Sequence, residues 1–90
     1  MTTTERFASN LRALRKARGL SQEELSFRAS IHRTQVSLLE RGDRLPRFET
    51  LIRLAGALEA TPNDLTAGIT WDPIIAVSGG LFVRGEEEST

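Results

Sequence analysis

Residues 21 to 42 read SQEELSFRASIHRTQVSLLERG, and this stretch decides the fold. Its apolar residues form two short segments of helical spacing, three or four residues apart, with one more residue at the turn between them. Side chains at such spacings share one face of a helix, so both segments are expected to bury their apolar faces in one small core. The five residues concerned are Leu25, Ala29, Ile31, Val36 and Leu39.

The second segment carries a different set of side chains on the face that points away from this core. They can donate hydrogen bonds, attract phosphate or touch a thymine methyl group. Two short helices at a tight turn, with such a face outward, match what a helix-turn-helix presents to the major groove of DNA. The outward residues are His32, Arg33, Thr34, Ser37 and Leu38.

Capping signals set the ends of the first two helices. Thr2 with Glu5, and Ser21 with Glu24, have the spacing of a capping box. The first helix is therefore expected from about residue 4 to 18, where Gly19 suits a left-handed cap, and the second helix begins after Ser21.

Three more helices are expected after these two. The third spans about residues 33 to 41, with His32 near its N-cap and Gly42 beyond its end. Thr61 as N-cap and Pro62 at the first position predict a fifth helix over about residues 62 to 66. The fourth helix is predicted from an apolar stripe that we expect to be buried: Phe48, Leu51, Ile52, Ala55 and Leu58.

The stretch from residue 21 to 42 resembles the helix-turn-helix of the lambda-repressor-like family, the Cro/C1 or XRE type of bacterial and phage transcriptional regulators. SQEEL opens the first of its two helices, LLERG closes the second, and the ordered apolar positions lie between them. The resemblance covers roughly residues 5 to 65. It implies a mainly α fold, with a five-helix DNA-binding domain over residues 1 to 70 and a C-terminal β-hairpin or extended arm over residues 71 to 90.

The resemblance also implies which residues would meet DNA. Matching positions face base edges in the family, and Arg33 would pair with a guanine. Arg33 could instead be an exposed surface arginine, and Leu38 could instead contact another protein. The base contacts implied are Arg33, Thr34 and Leu38. The phosphate contacts implied are Gln22, His32, Gln35, Ser37, Arg44 and Arg47.

Family members pair an arginine and a glutamate at the positions of Arg15 and Glu40, so the resemblance implies a partly buried ion pair between them. The other cations at the end of the first helix, including Arg12 and Arg18, are interpreted as a solvated face. One departure falls at the turn, where the family often has glycine and this chain has Ser30. This serine must adopt a positive φ or shift the turn.

The C-terminal segment changes character. IIAV at residues 74–77 and LFVR at residues 81–84 are β-prone, and the SGG between them predicts a short hairpin. Its apolar surface could fold back onto the chain's own helices, but we expect it to cover a second subunit or another protein partner. The contact residues expected are Trp71, Ile74, Ile75, Leu81, Phe82 and Val83. The last residues, GEEEST, are expected to be an acidic, frayed end.

The composition fits a single small domain. The chain has 90 residues, no cysteine and no apolar run of membrane-spanning length, so a soluble cytoplasmic protein without membrane contact is expected. The net charge of zero hides an asymmetry. Residues 1–70 hold 11 Lys or Arg and 8 Asp or Glu, whereas residues 71–90 hold 1 and 4. The helical part is therefore mildly basic, which predicts a modest non-specific affinity for DNA.

No arrangement of catalytic residues is evident, and one histidine without cysteine makes a metal site improbable. We therefore expect no enzyme activity, no cofactor and no metal. The leading hypothesis is a sequence-specific regulator of transcription that binds double-stranded DNA as a homodimer on a pseudo-palindromic operator. The alternatives are an antitoxin-type DNA-binding protein whose C-terminal arm binds a toxin, or a protein-interaction module that has lost DNA binding.

Overall fold

The computed structural model describes residues 1–73 and 81–83, with the side chains of Leu81 and Phe82 outside that description. The five expected helices are present, with ends within one residue of those expected for the first, third and fifth. No helix in these ranges is long and apolar enough to cross a bilayer. The helices are α1 (Thr3–Ala17), α2 (Gln22–Ala29), α3 (Arg33–Glu40), α4 (Phe48–Ala57) and α5 (Pro62–Leu65), and the strands are β1 (Ile69–Trp71) and β2 (Leu81–Val83).

Both expected capping boxes are formed. Glu5 N donates to Thr2 Oγ1 at 3.2 Å, and Thr2 N donates to Glu5 Oε1 at 2.7 Å. The box of Ser21 and Glu24 has the same two bonds, at 3.0 and 2.9 Å. The hydrogen bond from the cap backbone to each carboxylate lowers the pKa of Glu5 and of Glu24 from the ordinary value. These boxes fix where α1 and α2 begin.

The core lies where the five helices meet. Four of the five apolar positions that predicted the helix-turn-helix are buried, and Ile31 at the turn packs against them half-buried. Full burial of one such aliphatic side chain stabilises the fold by roughly 1.5–3 kcal/mol. The largest side chains below 2% exposure are Phe7, Leu11, Leu25, Val36, Leu54, Leu58 and Leu65.

The predicted buried stripe of α4 is wrong at two positions. Phe48 is 78% exposed and Ile52 is 42% exposed, whereas Leu54 is fully buried. The helix carries apolar residues around most of its circumference, so periodicity alone does not select the face that packs. The face that enters the core contains Leu54 and Ala55 and continues to Leu58, the residue that ends the helix.

The turn between α2 and α3 is made by a serine in a left-handed conformation. Ser30 has φ 55° and ψ 43°, so of the two alternatives the chain adopts the positive φ rather than a shifted turn. Gly19, which follows α1, has φ 69°, as expected for a left-handed cap. Both conformations direct the chain sharply into the next helix.

The two strands pair antiparallel, with Ile69 opposite Val83 and Trp71 opposite Leu81. The first strand of the hairpin was expected in IIAV, at residues that lie outside the described part; β1 is formed by residues that precede this segment. Both strands contact α1.

Two residues expected to contact a partner, Trp71 and Val83, differ in burial. Val83 is 2% exposed within the single chain. The expected role of Val83 as a partner contact is therefore corrected, because its side chain is already covered. Trp71 is 55% exposed.

Candidate DNA interface

Helix α3 begins with a histidine cap. His32 Nδ1 accepts a hydrogen bond from Thr34 N at 3.1 Å, as the expected N-cap role requires. The next three side chains, of Arg33, Thr34 and Gln35, are exposed. The start of α3 therefore presents its polar side chains outward.

A groove of about 300 Å³ runs along one side of α3. It brings together Arg33, Thr34 and Ser37, which the sequence analysis assigned to DNA, and it also includes His32. Arg41 extends the same side by one turn. Leu38, expected to face bases, is half-buried and does not line this groove.

Two further grooves lie on the other side of α3 and share Gln35 and Arg47. The larger, of about 350 Å³, also contains His32, and the smaller, of about 170 Å³, also contains Arg44. Four of the residues assigned to phosphate contacts are therefore neighbours: His32, Gln35, Arg44 and Arg47.

Gln22 contacts the end of α3, whereas His32 caps its start. The Gln22 amide Nε2 donates to Glu40 Oε1 at 3.0 Å, and Glu40 is the last residue of α3. The side chain assigned to a phosphate contact is therefore already bonded within the protein, with one amide proton left for another acceptor.

The expected ion pair between Arg15 and Glu40 is present. Arg15 Nε donates to Glu40 Oε2 at 2.6 Å, and Arg15 Nη2 donates to Glu40 Oε1 at 2.9 Å. The side chains are 13% and 3% exposed, respectively. The hydrogen bond to the carboxylate raises the pKa of Arg15 above its usual value. This pair joins α1 to the end of α3.

Arg12 and Arg18 are exposed, as expected for a solvated face, but their guanidinium groups also bond within the protein. Arg12 Nη1 donates to the main-chain oxygen of Glu40, and Arg18 Nε donates to that of Leu58 at 2.8 Å. Both acceptors lie at helix C-termini, where carbonyl groups lack partners within their own helix. Arg12 of α1 thus caps α3, and Arg18, which follows α1, caps α4.

Three polar residues that line these grooves, Arg41, Thr50 and Arg53, were not predicted from the sequence. Arg41 follows Arg33 and Ser37 at intervals of four, a spacing that indicates the same helical face. Thr50 and Arg53 line the larger groove beside Arg47. Arg53 Nη1 donates to Ser30 O at 2.9 Å, a contact 23 residues away in sequence that no local pattern indicates.

Within residues 1–73 and 81–83, no group of three His, Cys, Asp or Glu side chains is arranged to hold a metal ion.

Comparison with known proteins assigns the family. A model described as helix-turn-helix matches residues 11–65. Control protein C.SmaI from Serratia marcescens is 40% identical over 67 residues, which cover 73% of this chain and 80% of that relative.

Two solved structures show the same fold. The restriction-modification controller protein C.AhdI from Aeromonas hydrophila is 40% identical with a TM-score of 0.67, over 69% of this chain and 94% of that one. The P22 c2 repressor protein, in complex with a synthetic operator, is 29% identical with a TM-score of 0.64, over 69% and 94% of the two chains. Since the matched residues include α2, the turn and α3, this chain belongs to the helix-turn-helix family of DNA-binding transcriptional regulators.

Proposed function

We propose that this regulator binds a pseudo-palindromic operator as a homodimer, with α3 of each subunit in the major groove. One observation carries the proposal: the groove along α3 joins Arg33, Thr34 and Ser37 on an exposed face, and groups suited to phosphate lie at both ends of the helix. In this role the protein catalyses no reaction and binds DNA in the cytoplasm.

Arg33 is the side chain best placed to read a base. It is exposed at the first position of α3, and it has no hydrogen-bond or ion-pair partner among the described residues. Its guanidinium can donate two parallel hydrogen bonds to O6 and N7 of guanine. The side chains of Thr34 and Ser37 are shorter than that of Arg33, so they would contact only bases or phosphates that lie close to α3.

Phosphate contacts at both ends would fix the register of α3 on DNA. Eight residues of helix extend about 12 Å, and the major groove is about 12 Å wide. The cluster around Arg47 lies at the start of α3 and Gln22 lies at its end, so the two groups would reach the backbones that border the groove. Such contacts orient a protein without reading sequence.

A homodimer would place two copies of α3 in successive major grooves, about 34–36 Å apart on one face of the duplex. The exposed Trp71 on β1 supports a contact between subunits beside α1. Ile74 and Ile75, and the side chains of Leu81 and Phe82, lie outside the described residues, so their expected part in this contact remains a prediction.

Control of restriction-modification genes is the regulatory role that the relatives favour. C.SmaI is named a control protein, and C.AhdI is a restriction-modification controller protein. If this chain shares that role, genes for a DNA methyltransferase and an endonuclease lie beside its own, and its operator lies in their promoter.

In vitro selection from a random duplex pool tests the proposal. The wild-type protein should enrich an inverted repeat with half-sites about one helical turn apart. R33A should relax selection at one position in each half-site, with a loss of roughly 1–3 kcal/mol in discrimination.

The matched control is R28A, which removes the same charge from the exposed side of α2 and should leave the selected sequence unchanged. Failure of the wild type to enrich any sequence at low salt would overturn the proposal.

A further inference from the structure

Glu40 connects three helices through one buried carboxylate. Arg15 of α1 occupies both of its oxygens, and Oε1 also accepts from Gln22 at the first position of α2. Glu40 itself ends α3 and is 3% exposed. An ion pair between α1 and α3 requires only Arg15, so the third bond needs a separate explanation.

The same network also holds the backbone that leads into α2. Arg15 Nη1 donates to Leu20 O at 2.8 Å, two residues before Gln22. The start of α2 is therefore fixed at two points, at Leu20 through the main chain and at Gln22 through the side chain. Both points depend on the position of the Glu40 carboxylate, because Arg15 is bonded to it.

We propose that Glu40 is a positioning residue of the DNA interface, which fixes the amide of Gln22 before DNA arrives. The inference rests on the proposed function, in which Gln22 contacts a phosphate. A glutamine side chain has three rotatable bonds, and ordering them on binding weakens the complex. The bond to Oε1 orders the amide in the free protein and leaves its second proton for the phosphate. Glu40 acts through Gln22 and touches no DNA.

The chain offers a matched control for this role. It contains two glutamines, Gln22 and Gln35, and both are assigned to phosphates. Only Gln22 has a side-chain hydrogen bond among the described residues. A change at Glu40 should therefore alter the contribution of Gln22 and leave that of Gln35 unaltered.

A double-mutant cycle tests the proposal. E40D keeps the charge for Arg15 but withdraws the carboxylate by one methylene, and Q22M keeps the length of the side chain without its hydrogen bonds. Affinity is measured for a mixed-sequence duplex of about 20 base pairs at about 50 mM salt, where phosphate contacts dominate. E40D should weaken binding about 2- to 10-fold. This loss should disappear in the Q22M background and persist in the Q35M background.

An equal loss from E40D in all three backgrounds would overturn the inference, since Glu40 would then be only structural, while the proposed function would stand. If the wild type fails to bind this duplex and also enriches no sequence in the selection, the proposed function itself is overturned. A second measurement does not depend on the folding of E40D. In the free wild-type protein, the NMR order parameter of the Gln22 side-chain amide should exceed that of Gln35, and equal values would contradict the pre-ordering.

Discussion

At the scale of single residues, left-handed conformations set the backbone of two turns, at Gly19 after α1 and at Ser30 after α2. Gly19 has φ +69°, and a Cβ atom built there would meet nothing within 4 Å. Gly56 lies inside α4 with equally open space and without a positive φ. A methyl group added at either glycine makes no new contact, so substitution at the two sites compares the effects of backbone conformation alone.

The same substitution should have opposite effects at these two sites. G19A should lower stability by about 1 kcal/mol because an L-residue is strained at this φ, and the melting temperature should fall by about 4–8 °C. G56A, the matched control, should raise stability by about 0.5–1 kcal/mol because alanine favours the helix. Thermal unfolding followed by circular dichroism measures both, and shifts of the same sign would contradict this account.

At the scale of elements, the pairing of α1 with α3 depends on a buried charge pair. E40A leaves Arg15 without a carboxylate at a site where the arginine is 13% exposed. Breaking a buried pair in this way lowers stability by about 3–5 kcal/mol.

The exposed pair of α4 provides the control for this prediction. Glu49 and Arg53 are 77% and 43% exposed, with 3.5 Å between Oε1 and Nη2. E49A should therefore lower stability by less than about 1 kcal/mol. Chemical denaturation compares the two variants, and an equally small effect of E40A would show that the network contributes little to the fold.

The sequence predicted the elements better than the contacts between them. Helix ends and turns are encoded locally, in capping boxes and in Gly19, so their positions could be predicted. The packed face of α4 could not, because Phe48 and Ile52 are as apolar as the buried Leu54. The partners of Arg12 and Arg18 lie 28 and 40 residues away along the chain, so local patterns carry no signal for them. Of the interface, the residues of α3 were predicted from spacing and resemblance, but the bond between Gln22 and Glu40 was not.

At the scale of the whole molecule, the single tryptophan would report on the proposed dimer. Trp71 lies on β1 and is 55% exposed in the single chain. If the subunits meet at this strand, dimerisation removes the indole from water. Its fluorescence should then shift to shorter wavelength as protein concentration rises, in step with the dimer fraction measured by sedimentation.

A relocated probe controls for other interfaces. W71F combined with F48W moves the indole to α4, where the side chain of Phe48 is 78% exposed. Its emission should stay constant while the dimer forms. The reverse result, with a constant signal from Trp71 and a shift from the relocated probe, would assign the subunit contact to α4 instead of the paired strands β1 and β2.

The arginines at the end of α1 and just after it affect how many counterions a DNA complex would release. Each phosphate neutralised by a protein cation releases about 0.9 of a condensed counterion from B-DNA. Arg12, Arg15 and Arg18 direct their guanidinium groups at carbonyl and carboxylate oxygens of the protein itself. The counterions released by one subunit would therefore be set by the few arginines beside α3, not by the 11 basic residues of the helical part. A complex built in this way keeps more of its affinity as the ionic strength of the cell rises.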